Sequence, residues 1–265
     1  MNELSPGAPA DAAGAGAAAP SSSSERSLAL LALVASEGRA LSLAELSARL
    51  GLPKASAHRI CTQLQEGDWL MRDADERAFS VGPALRRLAL DTLNNGVVRG
   101  LRHQVLAELV AGIGETCNFT TLDGATVLYL DRVEAPWPWR LTLDVGAHVP
   151  LHCTASGKLF LAAMPAARRD ALIERLRLEA LTPTTITSAE QLRAECDAIA
   201  ARGYSTDREE FIAGLNAAAV PVKDAQGQTR AAIAIHAPSA RMSIDDALAR
   251  LPALQAAAAR MAELL

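Results

Sequence analysis

Apolar positions recur at helical spacing early in the chain and at strand spacing in several later stretches, and these two periods mark out the elements. Leu28, Leu31, Leu33 and Val34 predict a helix that begins near Glu25, capped by Ser24 and ended by Gly38. Ser42-Leu43-Ala44-Glu45 has the spacing of a capping box, in which serine and glutamate each satisfy one orphan backbone donor, so a short helix starts there and runs to Leu50. Gly51-Leu52-Pro53 turns the chain, and proline suits the first turn of a third helix over 53–65. Two short helices joined by a glycine-containing turn make a helix-turn-helix. Strands at 69–72 and 77–81 around the polar turn 73–76 form a wing. Gly82-Pro83 opens a helix over 84–94, broken by Asn94-Asn95-Gly96.

The second half mixes the two periods. A helix is predicted over 101–113. Strands follow at 116–122 and 126–133 around Asp123-Gly124, a hairpin signal, and at 140–143. Helices come next at 156–164, 166–177 and 189–202. Strands at 217–222 and 229–237 flank a second hairpin turn, 223–228, and a terminal helix covers 245–265. Hairpins with helices between them predict an α+β domain on an antiparallel sheet flanked by helices. The opening stretch, rich in Ala, Gly, Pro and Ser, has almost nothing to bury. The expected organisation is a disordered tail at 1–24, a winged helix-turn-helix at 25–82, a linker helix at 83–98 and a larger domain at 99–265.

Composition narrows the function classes. The 265 residues fit two domains. The formal net charge of -4 argues against coating nucleic acid by bulk charge. Residues 25–90, with nine basic and eight acidic side chains (net +1), leave local DNA contacts open. Cys61, Cys117, Cys153 and Cys196 are scattered without a C-x-x-C pair, so neither a structural zinc nor a disulfide scaffold is expected. No apolar run is long enough to span a bilayer and the start lacks the pattern of a secretory signal, so a cytoplasmic location is expected.

Two stretches carry chemistry. Around the third helix, Pro53, Lys54, Ser56, Ala57, His58, Arg59, Thr62 and Gln63 offer contacts suited to phosphates and base edges, with Leu52, Ile60 and Leu64 as the buried face. Arg77 in the wing is placed for phosphate. The plainer reading, a solvated polar helix, loses ground because capping box, turn, helix and hairpin occur in order. The second stretch is His152-Cys153-Thr154-Ala155-Ser156-Gly157-Lys158, small residues ahead of an apolar helix. Unpaired amides and the positive end of the helix dipole make such a start a seat for a carboxylate; the alternative is a routine cap with nothing bound. On the strand 229–237, alternation puts Ala232, Ala234 and His236 on one face and Ile233 and Ile235 on the other.

Three segments together resemble the IclR family of bacterial regulators: 41–59 (LSLAELSARLGLPKASAHR), 149–162 (VPLHCTASGKLFLA) and 207–222 (DREEFIAGLNAAAVPV), the last followed by a strand and Ala237-Pro238. The resemblance implies a winged helix-turn-helix on double-stranded operator DNA, a GAF-like domain binding a small effector, and homodimers or homotetramers. Repression is the family's default, and neither enzyme activity nor a cofactor is implied. By the family's pattern the effector pocket gathers Ala155, Ser156, Gly157, Asp207, Asn216, Ala217, Ala234 and His236, with Leu141 and Val149 as apolar lining. Relatives often have cysteine at the position of Ala217 and small hydroxyl residues at those of Ala234 and His236. These departures shift the expected ligand from the smallest keto acids toward a larger, aromatic carboxylic acid. Two rival classes stay open, a GAF-like enzyme or a ligand-free interaction module fused to a DNA-binding domain.

Other candidates are set aside. His148 and His152 are four apart, but Pro150 between them disfavours the helix on which they would share a metal. His152 and Cys153, adjacent on a strand, point to opposite faces and make a poor nucleophilic pair. Glu209-Glu210 reads as a solvated charge pair. Trp137-Pro138-Trp139 fits a pocket lid, a subunit contact or a rigid surface loop equally.

Overall fold

The structure is a computed structural model and describes residues 22–37, 39–73, 77–93, 96–138 and 143–265. Gly38, most of the 1–24 tail, the turn residues 74–76, the Asn94-Asn95 break, Trp139, Leu141 and most of the strand expected at 140–143 lie outside the described residues. The chain divides into two compact units between Asn94 and Asn95.

The first unit begins with α1 (Ser23–Glu37). Its cap is Ser22 rather than Ser24: Ser22 Oγ accepts from the Glu25 amide and the Ser22 amide donates to the Glu25 carboxylate, both at 3.1 Å. Leu30 and Val34 are the buried residues of this helix, while Leu28 is exposed. A two-residue strand, β1 (Leu41–Ser42), leads into α2 (Leu43–Leu50). The predicted capping box is present, with the Glu45 amide 3.3 Å from Ser42 Oγ and the Ser42 amide 2.9 Å from Glu45 Oε2. Gly51 takes φ +62°, a left-handed conformation that glycine adopts without a Cβ clash, and turns the chain into α3 (Lys54–Glu66). β2 (Leu70–Arg72) and β3 (Ala78–Val81) form the wing. Asp73 Oδ1 fixes its turn by accepting from the Arg77 and Ala78 amides at 2.9 and 3.0 Å. The sheet order is β1-β3-β2. The core gathers Leu30, Val34, Leu41, Leu46, Leu52, Ala57, Ile60, Cys61, Leu70 and Phe79, the larger side chains each contributing about 1.5–3 kcal/mol by leaving water. α4 (Pro83–Leu93) ends the unit.

The second unit opens with α5 (Gly96–Ile113), so two helices occupy the span expected as one linker. The hairpin β4 (Thr116–Asp123) and β5 (Thr126–Val133) turns at Asp123-Gly124 as predicted. β6 (His148–Pro150) pairs with β5. After it come α6 (Ala155–Ala163), α7 (Ala166–Ile173) and α8 (Ala189–Arg202). β7 (Ser205–Arg208), β8 (Leu215–Lys223) and β9 (Thr229–Pro238) complete a six-stranded sheet of order β6-β5-β4-β9-β8-β7, antiparallel at every step. The terminal helix is two helices, α9 (Ile244–Ala249) and α10 (Leu251–Ala262), because Pro252 fits a first helical turn but not an interior one.

Both faces of the sheet are covered. Ala217, Ala219, Ala232 and Ala234 pack with residues of α6 and α8. Ala218, Val220, Ile233 and Ile235 are fully buried and alternate to the opposite face. That face is taken by α5 against β4 and β5 and by α10 against β8 and β9. The division of β9 into an alanine face and an isoleucine face follows the sequence pattern. Replacing Ser42 by alanine removes half of the α2 capping box and should cost about 1 kcal/mol. The readout is a lower thermal midpoint for the first unit followed by circular dichroism, and an unchanged midpoint rejects that role for the box.

Candidate nucleic-acid interface and candidate ligand pocket

α3 turns one polar stripe outward. Lys54, His58, Arg59, Thr62 and Gln63 are exposed and share a face by their spacing, with Pro53 exposed just ahead of them. No acidic residue interrupts the helix before Glu66. Ser56 is half-buried. Ala57 departs from expectation: it is fully buried, because it shares a face with Ile60 and Cys61, and cannot meet a base edge. Arg77 is exposed in the wing. Arg72 lies 4.6 Å from the Phe79 ring centroid and donates to Gln65 at 3.3 Å, tying the wing to the end of α3.

In the second unit a cavity opens between the start of α6 and the sheet. It holds about 390 Å³ of empty space, part of it open to solvent. Of the residues predicted for an effector pocket, Val149, Ala155, Ser156, Asp207, Ala217, Ala234 and His236 line it. Thr154, within the stretch singled out before α6, lines it too, and Asn118, Tyr129, Leu143, Phe211 and Leu215, which escape the sequence reading, complete the wall. Two predicted residues point elsewhere. Asn216 donates from Nδ2 to the Met242 carbonyl at 3.0 Å, on the opposite face of β8 from Ala217. At Gly157 a Cβ would lie 2.4 Å from the Leu151 carbonyl oxygen, so the glycine lets α6 pack onto the loop before it. Leu141 is outside the described residues.

The α6 start has the chemistry anticipated. Thr154 caps the helix, its Oγ1 accepting from the Gly157 amide at 3.1 Å. Among the described residues the Ala155 and Ser156 amides have no hydrogen-bond partner. Across the cavity a polar chain sets the state of His236. The Arg132 guanidinium, which can only donate, faces Asn118 Oδ1 at 3.0 Å. That orients the Asn118 amide so that Nδ2 faces His236 Nδ1, also at 3.0 Å. Burial, and secondarily the Arg132 charge, push the His236 pKa down to about 3, so the ring is neutral. A neutral ring accepting at Nδ1 carries its proton on Nε2. That atom is buried without a partner.

Asp207 is 2% exposed and uses Oδ1 to accept from the Glu210 and Phe211 amides at 2.7 and 3.3 Å. Burial outweighs those bonds and, with Glu210 nearby, raises its pKa to about 7. Glu210 itself corrects the expectation of a solvated charge pair: it is buried and meets Lys158 Nζ of α6 at 2.5 Å. Its neighbour Glu209 accepts from the Gly214 amide at 2.9 Å.

The set-aside groups have separate partners. His148 is exposed and meets Asp123 at 2.9 Å, whereas buried His152 contacts the Glu179 carbonyl at 3.0 Å. Burial pushes the Cys153 thiol up to about 12, which leaves it a poor nucleophile. Trp137 donates to the Gly114 carbonyl at 2.9 Å and stacks 4.9 Å from Arg241, away from the cavity wall. Among the described residues no group of three or more His, Cys, Asp or Glu could hold a metal, and no helix is long and apolar enough to cross a membrane.

The raised pKa of Asp207 has a definite sign. The folded protein holds this proton up to about pH 7, while the unfolded chain releases it near 3.8. Stability from this group therefore falls as pH rises from about 4 to about 7. Asp207→Asn keeps an acceptor for the two amides and removes the ionisation. Its thermal midpoint should gain on that of the parent chain as pH rises from 4 to 8; a difference independent of pH would show that Asp207 titrates normally.

Comparison with known proteins places this geometry. The family described as bacterial transcriptional regulator IclR C-terminal matches residues 90–263, and the IclR helix-turn-helix domain matches residues 23–74. The probable transcriptional regulator SauR of Cupriavidus necator is 42% identical over 237 residues, covering 89% of this chain and 94% of that protein. Among solved structures, a putative transcriptional regulator from Rhodococcus sp. RHA1 aligns with TM-score 0.63 at 28% identity, covering 92% of this chain and 97% of that one. The inducer-binding domain of the transcription factor PobR from Acinetobacter, a double mutant in complex with 3-hydroxybenzoic acid, aligns with TM-score 0.58 at 29% identity over 62% of this chain and 96% of that one. The matched families are regulators rather than enzymes, which removes the enzyme alternative. An α+β chain with a winged helix-turn-helix and a six-stranded antiparallel sheet carrying a cavity against α6, matched over nearly its whole described length, belongs to the IclR family of bacterial transcriptional regulators.

Proposed function

We infer that this regulator binds operator DNA through α3 and the wing, and that a small carboxylic acid in the α6 cavity sets its operator affinity. The observation that carries the effector reading is the pairing of two unbonded amides at the start of α6 with the unpartnered His236 N–H among the residues of one cavity. Helix amides and a neutral N–H are the donors that hold a carboxylate in a dry site. The acid bound by the PobR domain belongs to this ligand class.

On the DNA side, Lys54, His58, Arg59 and Gln63 read or position the duplex, and Arg77 holds phosphate from the wing. The half-buried Ser56 and the exposed Pro53 and Thr62 flank that surface. A homodimer, alone or within a homotetramer, pairs two such helices on half-sites about one helical turn apart. Ligand binding then changes operator affinity, and DNA changes ligand affinity by the same factor.

One titration tests both halves. Arg59→Ala should weaken binding to the promoter fragment upstream of the gene by about tenfold or more and lower the salt dependence by about one phosphate contact. Small carboxylates should still shift the variant's thermal midpoint. Unchanged DNA affinity in a gel-shift titration removes Arg59 from the interface, and failure of every acid to shift stability or DNA binding removes the effector reading.

A further inference from the structure

The register of the sheet places two groups of opposite hydrogen-bonding sense on either side of a small residue. Asp207 on β7 pairs with Ala217 on β8, and Ala217 pairs with His236 on β9. Paired residues on neighbouring strands project to the same face, so the three stand in one row facing α6. Two strand spacings put the outer Cα atoms roughly 9.5 Å apart. Between them Ala217 contributes only a methyl, and all three residues line the cavity.

With Asp207 ionised, above about pH 7, the two flanking groups hold fixed and opposite roles. His236 Nδ1 is held as an acceptor by Asn118, whose amide is in turn oriented by Arg132, so the atom left for a ligand is an Nε2–H donor. Asp207 has Oδ1 committed to two backbone amides, and its carboxylate adds acceptor capacity at the other end of the row. A ligand spanning the row therefore meets a donor at one end and an acceptor at the other. The acid group belongs with His236 and the α6 amides, because placing it against the ionised Asp207 carboxylate would set like charges together at a buried position. The other end of the ligand must then donate.

We propose that the cavity selects a short acid that also carries a hydrogen-bond donor, a hydroxy acid over the keto or unsubstituted acid of the same skeleton, with His236 holding the acid and Asp207 reading the hydroxyl across Ala217. This rests on the reading of the cavity as the effector site. A carbonyl oxygen only accepts, so a keto acid leaves the ionised Asp207 facing a second acceptor, and an unsubstituted acid leaves it facing nothing. Sites built around a ligand hydroxyl reject analogues lacking it strongly, because the buried partner is then unpaired.

The test uses the full chain at pH 8 and matched probes: lactate against pyruvate, 3-hydroxybutyrate against acetoacetate, and 3-hydroxybenzoate against benzoate, each by calorimetric titration. The hydroxy member of at least one pair should bind about tenfold or more tighter than its partner. Asp207→Asn, which replaces one acceptor by an amide donor, should abolish or reverse that preference. His236→Met should weaken both members of the pair alike, whereas His236→Gln, which keeps a donor near Nε2, should retain most of the affinity. Nitrogen-15 NMR of the imidazole should find the proton on Nε2 and none on Nδ1. If the acids bind but the pairs bind equally, if the keto member binds tighter, or if Asp207→Asn leaves the preference intact, the proposal is overturned while the effector reading stands. If no acid binds at all, both are overturned.

Discussion

The ion pair between Lys158 and Glu210 is the constraint on which the pocket depends. Lys158 is 1% exposed and lies in the first turns of α6; Glu210 lies just after β7. Two charges at such depth are tolerable only in contact, and removing one partner of a buried pair costs about 3–5 kcal/mol. The pair therefore holds the α6 start and the 207–211 turn at one separation. The turn is further anchored by threonine hydroxyls: Thr182 donates to the Glu209 carbonyl at 2.6 Å, Thr184 to the same carbonyl at 2.8 Å and Thr185 to the Glu210 carbonyl at 2.6 Å. Glu209 takes φ +62°, a left-handed conformation uncommon outside glycine, within this network. Asp207 is thus held on a braced turn, and the α6 amides on a helix pinned to the same brace.

A second polar chain serves the opposite wall. Arg132, Asn118 and His236 sit on adjacent strands, with Asn118 paired to Arg132 across β4 and β5 and to Ala234 across β4 and β9. Each member orients the next, and the last presents one proton to the cavity. Buried polar groups are costly when partly satisfied. His236 Nε2 is left without a partner at the end of this chain, and it is the donor that the effector reading assigns to a ligand. The first unit has no comparable buried network among its described residues. Its precision comes from local devices (the Ser42–Glu45 box, the Gly51 turn and the Asp73 clamp on the wing) around an apolar core.

Devices of that local kind are legible in the amino-acid sequence. The capping box, the left-handed turn and the Asp123-Gly124 hairpin depend on neighbours within a few residues, and the alternation along β9 sorts its faces without reference to the partner strand. Short or polar elements carry no such signal. β1 and β6, at two and three residues, are too brief for a period to show. β7 carries Ser205, Thr206 and Asp207, polar residues that nonetheless lie in the interior, so its hydropathy argues against the burial it has. Ala57 reads as free to reach DNA because alanine is neutral to either face, and only the packing of α3 with Leu46 and Phe79 in one core decides the matter.

By itself, then, the sequence determined the two-part organisation, the helix-turn-helix with its wing, the antiparallel α+β architecture and the family, since each follows from local periodicity, caps, turns and ordered motifs. The tertiary structure decided which residues share the cavity. Asn118, Tyr129 and Phe211 reach it from distant parts of the chain, Gly157 and Asn216 turn away from it, and Glu210 goes inside to meet a lysine 52 residues earlier. The reason is physical. A charge or amide enters the interior only where a specific partner waits, and that partner is set by strand register and helix packing, not by anything in the few residues on either side.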